Sequence, residues 1–140
     1  MSADPEQLRF YVDESLLGLG KVLALARRDV IHAGHPLIAS DVPCGTLDPD
    51  WIPQVAARGL TAIVHDKKLR TRPGERDLVI ANGLRIIRLE NKRDLSTWSM
   101  LELLVRKWDR IDELALANGA GPWFMEIRQS DVRMRALVGR

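Results

Sequence analysis

The feature that most narrows the folds open to this chain is an alternation. Short apolar runs at residues 8–12, 30–32, 60–65 and 84–89 are separated by segments whose apolar residues recur at helical spacing. Runs of this length suit buried strands, and strands alternating with helices build a parallel sheet with helices on its faces. The chain therefore reads as α/β. After the first run, Leu8-Arg9-Phe10-Tyr11-Val12, a helix is expected from about residue 19 to 28, with Val22, Leu23 and Ala26 on one face. Residues 33–47 then carry Gly34, Pro36, Pro43 and Gly45 and read as a loop. Its length is unusual inside a compact domain and suggests a functional or mobile segment.

The string Asp48-Pro49-Asp50-Trp51-Ile52-Pro53 spells a helix start: an acid at the N-cap, proline at the first helical position and a second acid in the first turn. That helix is expected to reach about Arg58, with Gly59 as its stop. Residues 67–72 form a basic connection, Pro73 opens a helix to about Ala81, and Asn82-Gly83 closes it. In the longest helix, opening near Leu95, Trp98, Leu101, Leu104, Val105, Trp108, Ile111 and Leu114 recur at intervals of three or four, a stripe read as core. Asn118-Gly119-Ala120-Gly121-Pro122 breaks it, and residues 123–127 and 132–137 read as a closing hairpin.

With 140 residues, 46% of them hydrophobic, the chain has the material for one domain over residues 1–140, with residues 1–7 read as a flexible tail. The net charge of +2 gives only a slight pull toward a polyanion, so the placement of the charges matters more than their sum. A single cysteine, Cys44, has no partner for an internal disulfide, which favours a reducing compartment, the cytoplasm. The polar, acidic N-terminus lacks the pattern of a signal peptide. No stretch approaches the roughly 20 apolar residues that span a bilayer, so no membrane association is expected.

A glycine-rich phosphate loop, a GxSxG elbow and a Cys/His pair at zinc spacing are all missing from the sequence. What remains is a set of aspartates. Asp13 closes the first run, Asp66 closes the run at 60–65, and Asp48 opens the middle helix. In open α/β sheets, residues at the carboxyl ends of neighbouring strands converge on one crevice, which unites Asp13 and Asp66. Asp48 joins them only if the 33–47 loop first returns the chain to that edge. Carboxylates so gathered repel one another, and either raise each other's pKa or take a cation such as Mg²⁺ or Mn²⁺, which accept oxygen ligands. Each aspartate alone also suits a turn or cap, Asp48 most clearly. His32, His35 and His65 read as ordinary hydrogen-bonding residues, and Cys44 carries no assigned chemistry.

Four segments together resemble a known family: Phe10-Tyr11-Val12-Asp13, residues 48–55, residues 58–70, and Arg72-Pro73-Gly74-Glu75. Their order is similar to that of the PIN domain, in particular the short PIN-like proteins related to VapC-type toxins. The resemblance implies a compact three-layer fold with a mostly parallel central sheet, helices on both faces and a C-terminal β-hairpin. It also implies a metal-dependent ribonuclease in which Asp13, Asp48 and Asp66 are catalytic and hold Mg²⁺ or Mn²⁺, with Asp50 or Glu14 as a fourth ligand. Lys67, Lys68, Arg70 and Arg72, beside Asp66, would hold RNA phosphates. An antitoxin protein and a homodimer are partners implied in the same way. The pattern departs at Val64, where the family has threonine or serine two residues before the strand-end aspartate, and at His65. Two other readings stay open. One is a receiver-like phosphoacceptor built on Asp13, Glu14 and Asp66, which needs a lysine after a late strand where the chain offers Arg88 and Lys92. The other is a catalytically silent PIN-like interaction module, to which Val64 points.

Overall fold

Each apolar run becomes a strand: β1 (Phe10–Val12), β2 (Val30–His32), β3 (Thr61–Val64), β4 (Arg85–Leu89), β5 (Trp123–Ile127) and β6 (Val132–Arg135). The computed structural model describes residues 3–90 and 95–137. It joins the strands in one sheet ordered β2-β1-β3-β4-β5-β6, parallel throughout except for β6, which pairs antiparallel with β5. A 3₁₀ turn at Glu14–Leu16 leads into α1 (Leu17–Ala26); α2 (Asp48–Ala57), α3 (Lys68–Thr71), α4 (Pro73–Asn82) and α5 (Thr97–Asn118) follow.

Parallel sheets need cover on both faces, and the alternation of side chains along each strand divides the core accordingly. Phe10, Val12, Ile63, Ile87, Met125 and Ile127 pack with Leu19 and Leu23 of α1 and Leu103, Leu104 and Ile111 of α5. Tyr11, Ile31, Ala62, Val64, Ile86 and Phe124 pack on the other face with Trp51, Ile52 and Val55 of α2, Leu69 of α3 and Val79 of α4. The result is three layers closed by a C-terminal hairpin.

Two helices turn other faces inward than their spacing suggests. In α1 the buried residues are Leu19, Gly20, Leu23 and Ala24, and Val22 is partly exposed. Gly20 sets this face: a Cβ there would lie 2.7 Å from Cβ of His32 and 3.0 Å from Cβ of Val12, so only glycine lets α1 sit this close to the sheet. In α5, Met100, Leu103, Leu104 and Ile111 are buried, while Trp98 and Val105 stay 76% and 67% exposed. At 3.6 residues per turn these two lie roughly 120–140° round the helix from the centre of the stripe set by Met100, Leu104 and Ile111.

The 33–47 segment is a packed piece rather than a free loop. Ile38 and Val42 are fully buried. Turn bonds from Val42 N–H to Ile38 O and from Gly34 N–H to Val42 O fold it onto the α2 side of the sheet. The basic connection at 67–72 likewise forms one helical turn, α3, held down by buried Leu69. At the N-terminus, Asp4 N–H donates to Arg28 O. Among the described residues no helix is long and apolar enough to cross a membrane.

Candidate functional site at the carboxyl edge of the sheet

β1 and β3 are neighbours in register, Val12 opposite Ile63, and the Asp13 N–H extends the pairing by donating to Ile63 O at 3.0 Å. Asp13 thus stands at the carboxyl edge, on the same side of the sheet as Tyr11. Counting on from this register, Asp13 is level with Val64 and Asp66 lies two residues beyond, a rise of about 6.6 Å in extended chain. The two aspartates form a stepped rim.

Asp48 reaches the rim without any return of the chain. β2 runs parallel to β1, so the chain leaves it at the carboxyl edge, residues 33–47 stay there, and α2 starts there and runs back. A helix between parallel strands must begin at the edge where the preceding strand ended, and this makes the supposed condition on the loop unnecessary. The Gly45 N–H donates to Glu14 Oε2 at 2.8 Å and ties the segment to the turn after β1. An open cleft results, lined by Asp13, Glu14, Ser15, Thr46, Asp48 and Glu75.

Asp48 itself is not the cap that its sequence suggests. Leu47 occupies the N-cap position without a side-chain bond, and Asp48 is the first helical residue. Its Oδ1 instead accepts from Trp51 Nε1 at 2.8 Å, so the tryptophan braces the carboxylate. Burial holds the Asp48 carboxyl above its ordinary pKa against the opposing Trp51 bond, and the charges of Asp13, Glu75 and Asp66 push the same way as burial. Beneath them the Tyr11 phenol is pushed far upward, by burial first and then by Asp13, Glu14, Cys44 and Asp48.

Glu75 is the acid that sequence reasoning left unassigned. A signal for it existed, because Pro73-Gly74-Glu75 repeats the proline-and-acid start of α2, and α4 also follows a parallel strand from the carboxyl edge. Glu14 faces the cleft but is engaged by Gly45, whereas Asp50 is exposed in the first turn of α2 and does not line the cleft.

Each rim aspartate is also keyed to its own turn. Asp13 Oδ2 accepts from Ser15 Oγ at 2.8 Å, and Asp66 Oδ1 accepts from the Lys68 N–H at 2.9 Å with Lys68 Nζ 3.6 Å from Oδ2. Asp13 Oδ1 and Asp48 Oδ2 have no hydrogen-bond partner among the described residues. Among the described residues, no group of three His, Cys, Asp or Glu side chains stands close enough together to hold a metal ion. The basic residues fall beside Asp66: Lys67, Lys68 and Arg72 are exposed, and Arg70 lies over the Phe124 ring at 5.9 Å. Arg88, a candidate for the cation of the receiver-like layout, is tied to His65 O and Glu126, and Lys92 lies outside the described residues.

No curated protein and no solved structure matches the chain. A family model described as a PIN-like domain matches residues 8–91, which runs from β1 past the end of β4 and takes in Asp13, Asp48, Asp66 and Glu75. With more than half its length matched and its carboxylates gathered where parallel strands end, the chain belongs to the PIN-like domain family.

Proposed function

We propose that this protein is a metal-dependent endoribonuclease acting in the cytoplasm. The observation that carries the reading is the placement of Asp13, Asp48 and Glu75 around one cleft, with Asp66 on the same sheet edge, inside a domain of a nuclease superfamily. The donor set is made of hard carboxylate oxygens, the type that Mg²⁺ and Mn²⁺ take. Asp13, Asp48 and Asp66 would hold the ion, Glu75 stands beside them, and Glu14 and Asp50 are the outer candidates. A bound ion of this kind lowers the pKa of a water and offsets charge developing on a phosphate. Asp13 and Asp48 offer their free oxygens, Asp66 is held by the α3 turn, and Lys67, Lys68, Arg70 and Arg72 hold the phosphate backbone on that flank. An antitoxin partner and a homodimer belong to the same proposal.

The test is Mg²⁺- or Mn²⁺-dependent cleavage of single-stranded RNA by the wild type, Asp13→Asn and Asp66→Asn. Outer-shell partners of a metal site are worth about 10–100-fold, so loss of a ligand carboxylate lowers the rate by at least about 100-fold. Undiminished cleavage by both variants refutes the assignment. One observation favours a second reading, a silent PIN-like interaction module. The carboxylates are not drawn together to coordinating distance, and Val64 supplies no hydroxyl behind Asp66. A folded protein that takes up no Mn²⁺ in calorimetry supports that reading instead.

A further inference from the structure

Beyond the acidic rim, a cluster of arginines lies on the α3 side of β4, β5 and β6. Strand alternation puts Arg88 on the same face as Ile86 and Glu126 on the same face as Phe124, and Arg133 and Arg135 of β6 pair across to β5. Glu126 is 4% exposed, and its carboxylate accepts from three guanidinium groups. Arg88 Nη1 lies 3.1 Å from Oε2, while Arg135 Nη1 and Arg133 Nη2 lie 3.0 Å and 3.3 Å from Oε1. Arg70 of α3 adds a fourth cation, and no carboxylate pairs with it among the described residues.

Four guanidinium groups around one carboxylate leave an excess of three positive charges. That excess is felt locally: Arg70 is held below its ordinary pKa, by burial first and then by Arg135, Arg88 and Arg133 against the opposing pull of Glu126. An anion relieves such an excess, and the planar fork of arginine suits the oxygens of a phosphate. The cluster also touches the rim. Arg88 Nε donates to His65 O at 3.0 Å, one residue before Asp66.

We propose that Arg70, Arg88, Arg133 and Arg135 form a phosphodiester-binding track that carries a single-stranded nucleic-acid backbone to the acidic edge. Its class of ligand rests on the ribonuclease reading. Glu126 acts as the organiser, holding three of the arginines in place while their charges outnumber its own. The track extends the Lys67, Lys68, Arg70 and Arg72 flank onto the hairpin, whose residues fall outside the family match at 8–91.

The experiment measures binding of a labelled single-stranded RNA oligonucleotide by anisotropy, in EDTA and across a salt series, for the wild type and Arg133→Gln/Arg135→Gln. Each phosphate contact on a single strand contributes about 0.7 to the slope of log affinity against log salt, so the double variant should lose about 1.4 of it. Between about 1 M and 0.15 M salt that slope difference amounts to roughly 14-fold weaker binding at the lower salt. An unchanged slope and affinity overturn the proposal. If the double variant does not fold, Arg133→Gln alone is measured, since its contact is the longer and its side chain is 41% exposed. A loss of about 0.7 in slope is then expected, and none overturns the proposal. Inorganic phosphate at matched ionic strength distinguishes the source of the ligand: phosphate binding lost in the variant while RNA binding stays intact also overturns the track. Failure of the nuclease reading looks different, as RNA bound through these arginines and never cleaved.

Discussion

Glu126→Gln tests the arginine cluster as a structural unit. Removing one partner of a buried ion pair costs about 3–5 kcal/mol because the other charge stays uncompensated. Here the three partners differ. The side chains of Arg133 and Arg135 are 41% and 32% exposed and can turn to water, whereas Arg88 is 12% exposed and keeps only its bond to His65 O. One stranded charge rather than three sets the lower end, about 3 kcal/mol, and the glutamine carbonyl recovers about 1 kcal/mol of hydrogen bonding. A net loss of roughly 2 kcal/mol is expected in urea unfolding followed by circular dichroism, with an unchanged m-value. The pH dependence gives a second check. Burial pushes the Glu126 carboxyl up, but Arg135, Arg133 and Arg88 outweigh it and hold the group below its ordinary 4.5. A carboxylate depressed in the folded state stabilises fully above its unfolded value and loses that stabilisation as pH falls through the folded one. Wild type and variant should therefore differ most near neutrality and converge in acid below pH 4.5. A loss under about 0.5 kcal/mol, or a difference that does not shrink in acid, refutes this account of the cluster.

Asp48→Asn should stabilise the protein slightly at neutral pH, at the low end of the roughly 0.5–2 kcal/mol typical of charge optimisation. Its folded pKa is raised, so wild-type stability falls as pH climbs from 3.8 through the raised value; thermal melts across pH should show that fall weakened in the variant. Gly20→Ala drives a Cβ against His32 and Val12 and should cost about 2–3 kcal/mol, whereas Gly74→Ala, with open space in α4, should be neutral or stabilising by up to about 1 kcal/mol. Parallel melts of the two settle it. Trp98→Ser should change stability by less than about 0.5 kcal/mol because Trp98 is exposed, while Trp51→Phe should lose about 2 kcal/mol, from its bond to Asp48 and from the space the smaller ring leaves in the core, read by denaturant midpoint.

The layered sheet and the rim positions of Asp13 and Asp66 were legible because short apolar runs, two of them closed by these aspartates, need only local order to be read. Asp48 reaches the rim by a different route from the one its sequence suggests. The direction of a helix is fixed by the strand before it, here β2, and that settles which edge Asp48 occupies. Trp98 was misassigned because 98, 101 and 105 and also 100, 104 and 111 keep helical spacing, and only packing against the sheet chooses between the stripes. The grouping of Arg70, Arg88, Arg133 and Arg135 showed no sequence signal, although Arg70 and Arg88 were each read singly in other roles. The four lie on three separate strands or turns and meet only through the β4, β5 and β6 pairings.

The place of β5 in the sheet bears on how this protein can be dissected. The family match ends at residue 91, yet one whole side of β4 is hydrogen-bonded to β5, and α5 supplies Leu103, Leu104 and Ile111 to one half of the core. A fragment cut at the boundary of the match would bare a strand edge and an apolar sheet face together, the combination that drives chains to pair with one another. The recognisable segment is therefore not a folding unit, and its acidic rim depends for solubility and shape on a C-terminal third that carries none of the rim's own residues.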